Sequence, residues 1–90
     1  MIRVHVRFIG RVQGVGFRFF AQMNAERYHV TGWVKNMPDG SVVAEAQGTK
    51  LQVDHFVSSM ETGHRFILVE RIEREEINLQ EKERDFRVVY

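Results

Sequence analysis

"IRVHVRFIGRVQGVGFRFFAQMNAERY", Ile2 to Tyr28, changes its rhythm once, and that change carries the fold. Ile2, Val4, Val6 and Phe8 alternate with Arg3, His5 and Arg7, the period-2 pattern of a strand with one buried face. Farther on, Phe17, Phe20, Ala21, Ala25 and Tyr28 recur at helical spacing, so an amphipathic helix is expected from Phe17 to Tyr28. Between the two periods lies "GRVQGVGFR", Gly10 to Arg18, a glycine-rich loop that ends at a helix start and carries an arginine there.

The rest of the chain extends this β-α beginning. "GWVKN" and "SVVAEAQ" flank "MPDG", whose proline, aspartate and glycine suit a reverse turn, which predicts a β-hairpin. Thr49 and Gln52 have the spacing of a capping box. A second helix follows, with Leu51, Val53, Phe56, Val57 and Met60 along one face and Gly63 just past its end. Phe66 to Ile77 reads as a long, half-exposed strand whose alternation slips near Val69, where a bulge is expected. Asn78 to Arg84 is a polar loop, and "DFRVVY" closes as a short strand.

The order β-α-β-β-α-β plus a terminal strand predicts an α+β, ferredoxin-like sandwich: a mainly antiparallel sheet with both helices on one face. Residues 1–90 are expected to form one domain, because two cores of half this length would each bury too little apolar surface.

With 43% hydrophobic and 28% charged residues, the chain has the balance of a soluble globule. No apolar run approaches the ~20 residues of a membrane span. The opening residues alternate charge with apolar side chains rather than forming a signal peptide, so a cytoplasmic location is expected. Cysteine is absent, which excludes disulfides and thiolate chemistry. A net charge of +1 offers no broad basic field for nucleic acid, though it is compatible with a small anion site.

The glycine loop admits two readings. One is a sharp strand-to-helix connection followed by a solvated arginine. In the other, the N–H groups of Gln13, Gly14, Val15, Gly16 and Phe17 converge before the helix, where an anion meets several donors and the positive end of the helix dipole. Arg18 then adds a planar guanidinium fork matched to phosphate oxygens. The loop is not a nucleotide P-loop, since no Gly-Lys-Ser/Thr follows, and Phe19 stands where a dinucleotide fingerprint needs its third glycine.

"QGVGFRFF" also resembles the aromatic submotif of RNA-recognition domains. That submotif belongs on a third strand, whereas here it precedes the first helix, so no nucleic-acid partner is expected. Asn36 has two readings as well. It is either a turn former bonding its own backbone, or an amide at a strand end placed near the loop, able to donate and accept at once.

Taken together, "GRVQGVGFR" and "GWVKNMPDGSV" resemble the two signature segments of the acylphosphatase family, and the flanking lengths match the whole chain of a free-standing member. The resemblance implies an α/β sandwich that hydrolyses the carboxyl-phosphate bond of acylphosphates without a metal. By the same resemblance, Arg18 is the phosphate-binding catalytic arginine and Asn36 positions the attacking water. It implies no cofactor, a small-molecule acylphosphate as substrate, inorganic phosphate as product and competitive inhibitor, no membrane partner, and a monomer. Two departures lie outside the signatures: Val43 replaces a glutamate common in relatives, and "ETGHRFILV" lacks a Gly-Pro turn before the fourth strand.

His5, His29, His55 and His64 show no paired metal-ligand spacing and receive no role. Trp33 and the phenylalanines are expected in the core, and "ERIEREE" as a solvated strand face or a guarded sheet edge. The alternative function is a non-catalytic phosphate- or acylphosphate-binding module, related to the acylphosphatase-like domain of carbamoyl-transferring maturation proteins.

Overall fold

Alternation in the first strand becomes the two faces of a five-stranded sheet in the computed structural model, which describes residues 1–90. β1 (Ile2–Arg11) turns Val4, Val6 and Phe8 toward two helices, α1 (Phe17–Tyr28) and α2 (Lys50–Thr62). β2 (Thr31–Asn36) and β3 (Val42–Gly48) form the hairpin, β4 (Leu68–Ile77) is the long charged strand, and β5 (Phe86–Val89) ends the fold. The sheet order is β4-β1-β3-β2-β5. β1 pairs antiparallel with β3 and β4, β2 antiparallel with β3, and β5 alone runs parallel to its neighbour β2. The ferredoxin-like expectation holds.

One apolar cluster fills the space between sheet and helices, from Val6, Phe8, Val34 and Ala44 on the strands to Phe17, Ala21, Phe56 and Met60 on the helices. Phe8 and Phe17 meet at 5.0 Å between ring centroids, which clamps the end of β1 to the first residue of α1 and fixes the loop between them. The capping box forms as expected: Thr49 Oγ1 accepts from the Gln52 amide at 3.2 Å, and Gln52 Oε1 accepts from the Thr49 amide at 2.9 Å.

The slip near Val69 is a bulge. Ile9 faces Arg71 and Gly10 faces Val69, so Glu70 is the extra residue on β4. Gly10 therefore belongs to the strand rather than to the loop. A Cβ there would collide with the Leu68 carbonyl oxygen, which is why the close approach needs glycine.

Several expectations need correction. β4 starts at Leu68, because Arg65 and Phe66 form a turn closed by the Ile67 amide on the His64 carbonyl at 2.9 Å, and Phe66 is left exposed. Leu51 is also exposed: at 100° per residue it lies roughly 200° around α2 from Val53, on the opposite face. Trp33 is only half-buried, on the sheet face away from the helices, edge-on to His5 at 6.3 Å. Phe19 is exposed, for a reason that lies in the site. "ERIEREE" is both solvated and an edge, since β4 is the outermost strand beside β1.

That same sheet face holds a buried cation. Arg3 is 2% exposed and bonds Glu83 at 2.7 Å, Glu45 at 2.9 Å and Gln47 at 3.2 Å. Burial opposes its charge, but the bonds to Glu83 and Glu45 outweigh that and raise its pKa above the ordinary value. The polar loop before β5 thus closes over one end of the sheet.

Candidate active site

At the opposite end of the sheet, β1 hands the chain to α1 through two glycines in the left-handed region, Gly14 at φ 74° and Gly16 at φ 78°. Gly16 is the N-cap of α1 and offers no side chain to the first-turn amides. A Cβ at either glycine would touch nothing within 4 Å, so here backbone conformation, not crowding, demands glycine. The loop leaves the helix start bare toward open space.

Into that space opens a cavity of about 270 Å³. Gly14, Gly16, Phe17 and Arg18 form the wall on the loop side, and Asn36, at the end of β2, forms the facing part. Asn36 lies on the same strand face as Val34, toward the helices, because the two are separated by one residue. Its Oδ1 is buried without a hydrogen-bond partner from the protein. A buried acceptor of this kind is costly unless it meets a polar group, so the cavity is suited to water or a polar ligand at that point.

The turn after β2 does not depend on the Asn36 side chain. Asp39 Oδ1 accepts from the Ser41 amide at 2.9 Å and from Ser41 Oγ at 2.6 Å, while Arg7 donates to Asp39 Oδ2 at 2.7 Å. Gln13 Nε2 donates to the carbonyls of Met37 and Ser41 at 2.7 and 2.8 Å, tying the glycine loop to the hairpin. Of the expected loop residues, Gly14, Gly16, Phe17 and Arg18 line the cavity, while the Gln13 side-chain amide makes this tie and the Val15 side chain packs against the core.

Five lining residues escaped the sequence reading: Val12 just after β1, Phe19 and Gln22 on α1, and Val88 and Tyr90 at the end of the chain. The Tyr90 ring lies over the Arg18 guanidinium, 4.7 Å from ring centroid to Cζ. No local pattern marks Val88 or Tyr90, since they arrive only through the parallel pairing of β5 with β2. Arg18 is the single charged residue on the wall. No group of three His, Asp or Glu side chains is placed to hold a metal ion.

A family model described as Acylphosphatase matches residues 4–88. The chain belongs to the acylphosphatase family. An acylphosphatase of Geobacillus thermodenitrificans is 47% identical over 90 residues, spanning all of this chain and 96% of that one. Another, of Clostridium acetobutylicum, is 43% identical across 100% of this chain and 99% of its own. The crystal structure of acylphosphatase from Bacillus subtilis matches with a TM-score of 0.95 at 39% identity, covering both chains in full. HypF from T. kodakarensis also matches all of this chain, at 28% identity and a TM-score of 0.87, but over only 12% of its own length. Acylphosphatases matched from end to end outweigh the reading as a copy of one part of a larger maturation protein.

Proposed function

We propose that this protein, acting as one domain, hydrolyses the carboxyl-phosphate bond of small acylphosphates, with Arg18 and the loop backbone holding the phosphoryl group and Asn36 orienting the water. The observation that carries this reading is the single cavity shared by Arg18, the uncapped start of α1 and the buried, unpartnered Asn36 Oδ1. Family membership supports the reaction class.

The division of labour follows from the chemistry. A phosphoryl group carries negative charge that spreads over its oxygens as the transition state is approached. First-turn amides, the helix dipole and the guanidinium of Arg18 are fixed donors that stabilise this charge without reorganising. The Asn36 acceptor can hold one proton of a water and so aim its lone pair at phosphorus. As the water oxygen bonds to phosphorus, the bond to the bridging oxygen breaks, and its electron pair leaves on the carboxylate. The water's proton passes to a phosphoryl oxygen or to the departing carboxylate oxygen. The products are a carboxylate and inorganic phosphate, and the good leaving group removes the need for a strong acid.

Inorganic phosphate, as product, would occupy the same cradle and compete with substrate, and turnover would need neither metal nor cofactor. All the named groups come from one chain, which supports action as a monomer. A chain without cysteine needs no oxidising compartment, and we place it in the cytoplasm. The test is phosphate release from benzoyl phosphate by the purified protein, before and after exhaustive chelation. Undiminished release with competitive inhibition by phosphate supports the reading. No release would leave a binding module, and loss on chelation restored by a divalent ion would overturn the metal-free mechanism.

A further inference from the structure

Phe19 presents the clearest conflict between sequence pattern and packing in α1. It is 66% exposed, although the inward positions of the helix, Phe17, Ala21 and Ala25, already supply the core contact. Core packing therefore gives no account of a large apolar ring at this position. The cavity does, because Phe19 stands on its wall one residue beyond Arg18.

The wall is chemically mixed. Arg18, the loop glycines and Asn36 offer groups that suit a phosphoryl group, while Val12, Phe17, Phe19, Val88 and the Tyr90 ring, the last against the Arg18 guanidinium, supply apolar surface. Gln22 is neutral, and no lysine, aspartate, glutamate or second arginine lines the space. Resting on the acylphosphate reading above, we propose that the apolar wall receives the acyl half of the substrate and selects a small, uncharged, apolar or aromatic acyl group, with Phe19 setting that preference.

The geometry of the substrate enforces the link. In an acylphosphate a single bridging oxygen joins phosphorus to the acyl carbon. A phosphoryl group held at Arg18 therefore keeps its acyl group within the same cavity, whose wall includes Phe19. An aromatic acyl group gains apolar contact with Phe19, whereas an acetyl group has little surface to offer. An acyl group bearing its own carboxylate would enter an apolar wall with Arg18 already engaged, and a desolvated charge without a partner is costly. A volume of about 270 Å³ further restricts the ligand to a small one.

The experiment compares benzoyl, acetyl and succinyl phosphate on the wild-type protein and on Phe19→Ala and Phe19→Leu. The readout is the ratio of kcat/KM for benzoyl over acetyl phosphate, in which differences in substrate reactivity and in folded fraction cancel between variants. Phe19→Ala is expected to lower this ratio about tenfold, mainly through the KM for benzoyl phosphate, and Phe19→Leu to restore part of it. Succinyl phosphate is expected to be the poorest of the three. Hydrolysis with an unchanged ratio in Phe19→Ala, or a preference for succinyl phosphate, would overturn the acyl preference alone. Failure of the wild-type protein to hydrolyse any of the three would overturn the acylphosphatase reading itself, and this inference with it.

Discussion

The Tyr90 ring lies against the Arg18 guanidinium at 4.7 Å, joining the residue that follows β5 to the first turn of α1. A ring packed over a guanidinium restrains it while leaving N–H donors at its edge available, which fits the proposed grip of Arg18 on phosphoryl oxygens. Tyr90 is itself 90% exposed, so its loss should leave the core intact. Tyr90→Leu should lower kcat/KM by about two- to fivefold, the equivalent of an exposed cation–π contact. Tyr90→Phe should stay near wild type. An equal loss in both variants would assign the effect to the hydroxyl and not to the stacked ring.

Arg18 and Asn36 meet the same cavity from different elements, so their removal should have different kinetic signatures. Arg18→Ala and Arg18→Lys should each lose at least ~10²-fold in turnover, because a point charge does not replace a planar fork, and Arg18→Ala should also weaken inhibition by phosphate. Asn36→Ala should lower kcat strongly but leave the phosphate inhibition constant within a small factor, since the anion contacts remain. Its melting temperature should barely change, because the turn is held by Asp39, Ser41 and Gln13. An unchanged kcat with a lowered melting point would make Asn36 a structural residue only.

The turn itself should respond to acid. The hydrogen bond from Ser41 Oγ, then that from the Ser41 amide, and then Arg7 hold the Asp39 carboxyl below its usual pKa. A carboxyl depressed in the folded state favours folding at pH values above its unfolded pKa, and that contribution disappears as pH falls through the folded value. Asp39→Asn should therefore lower the melting temperature at neutral pH and narrow the difference between neutral and acid. Thermal unfolding at both pH values checks this. An unchanged pH dependence would mean that Asp39 adds nothing through its charge.

Arg3 offers a control remote from the cavity. Its guanidinium is buried against Glu83, whose side chain is only 7% exposed, so removing it strands a carboxylate in a dry site. Arg3→Ala should cost about 3–5 kcal/mol of stability, read by denaturant unfolding. Turnover per folded molecule should not change. A large kcat effect would show that the two ends of the sheet are coupled.

Local order was legible in the chain wherever neighbours along it decide the outcome. Alternation from Ile2 to Phe8 sets β1, the spacing from Phe17 to Tyr28 sets α1, and Thr49 with Gln52 sets the start of α2. The two glycine-bearing segments also pointed to the cavity now lined by Arg18 and Asn36. These features repeat every two or 3.6 residues, or depend on one capping contact, so a short window contains their cause. Leu51 shows the limit even of that window, since an apolar side chain in a helix reveals its face only relative to the others.

The remaining features were decided by packing. Nothing near Val88 or Tyr90 announces that β5 will run parallel to β2, yet that pairing brings Tyr90 to Arg18 and completes the cavity. Phe19 carries an apolar signal that sequence assigns to the core, and only the arrangement of α1 on the sheet turns it outward onto the wall. Arg3 sits at a strand position that reads as solvent-facing until Glu83 and Gln80 fold across it. In each case the partner is distant in the chain, and its position follows from the burial of one shared apolar core rather than from any local preference.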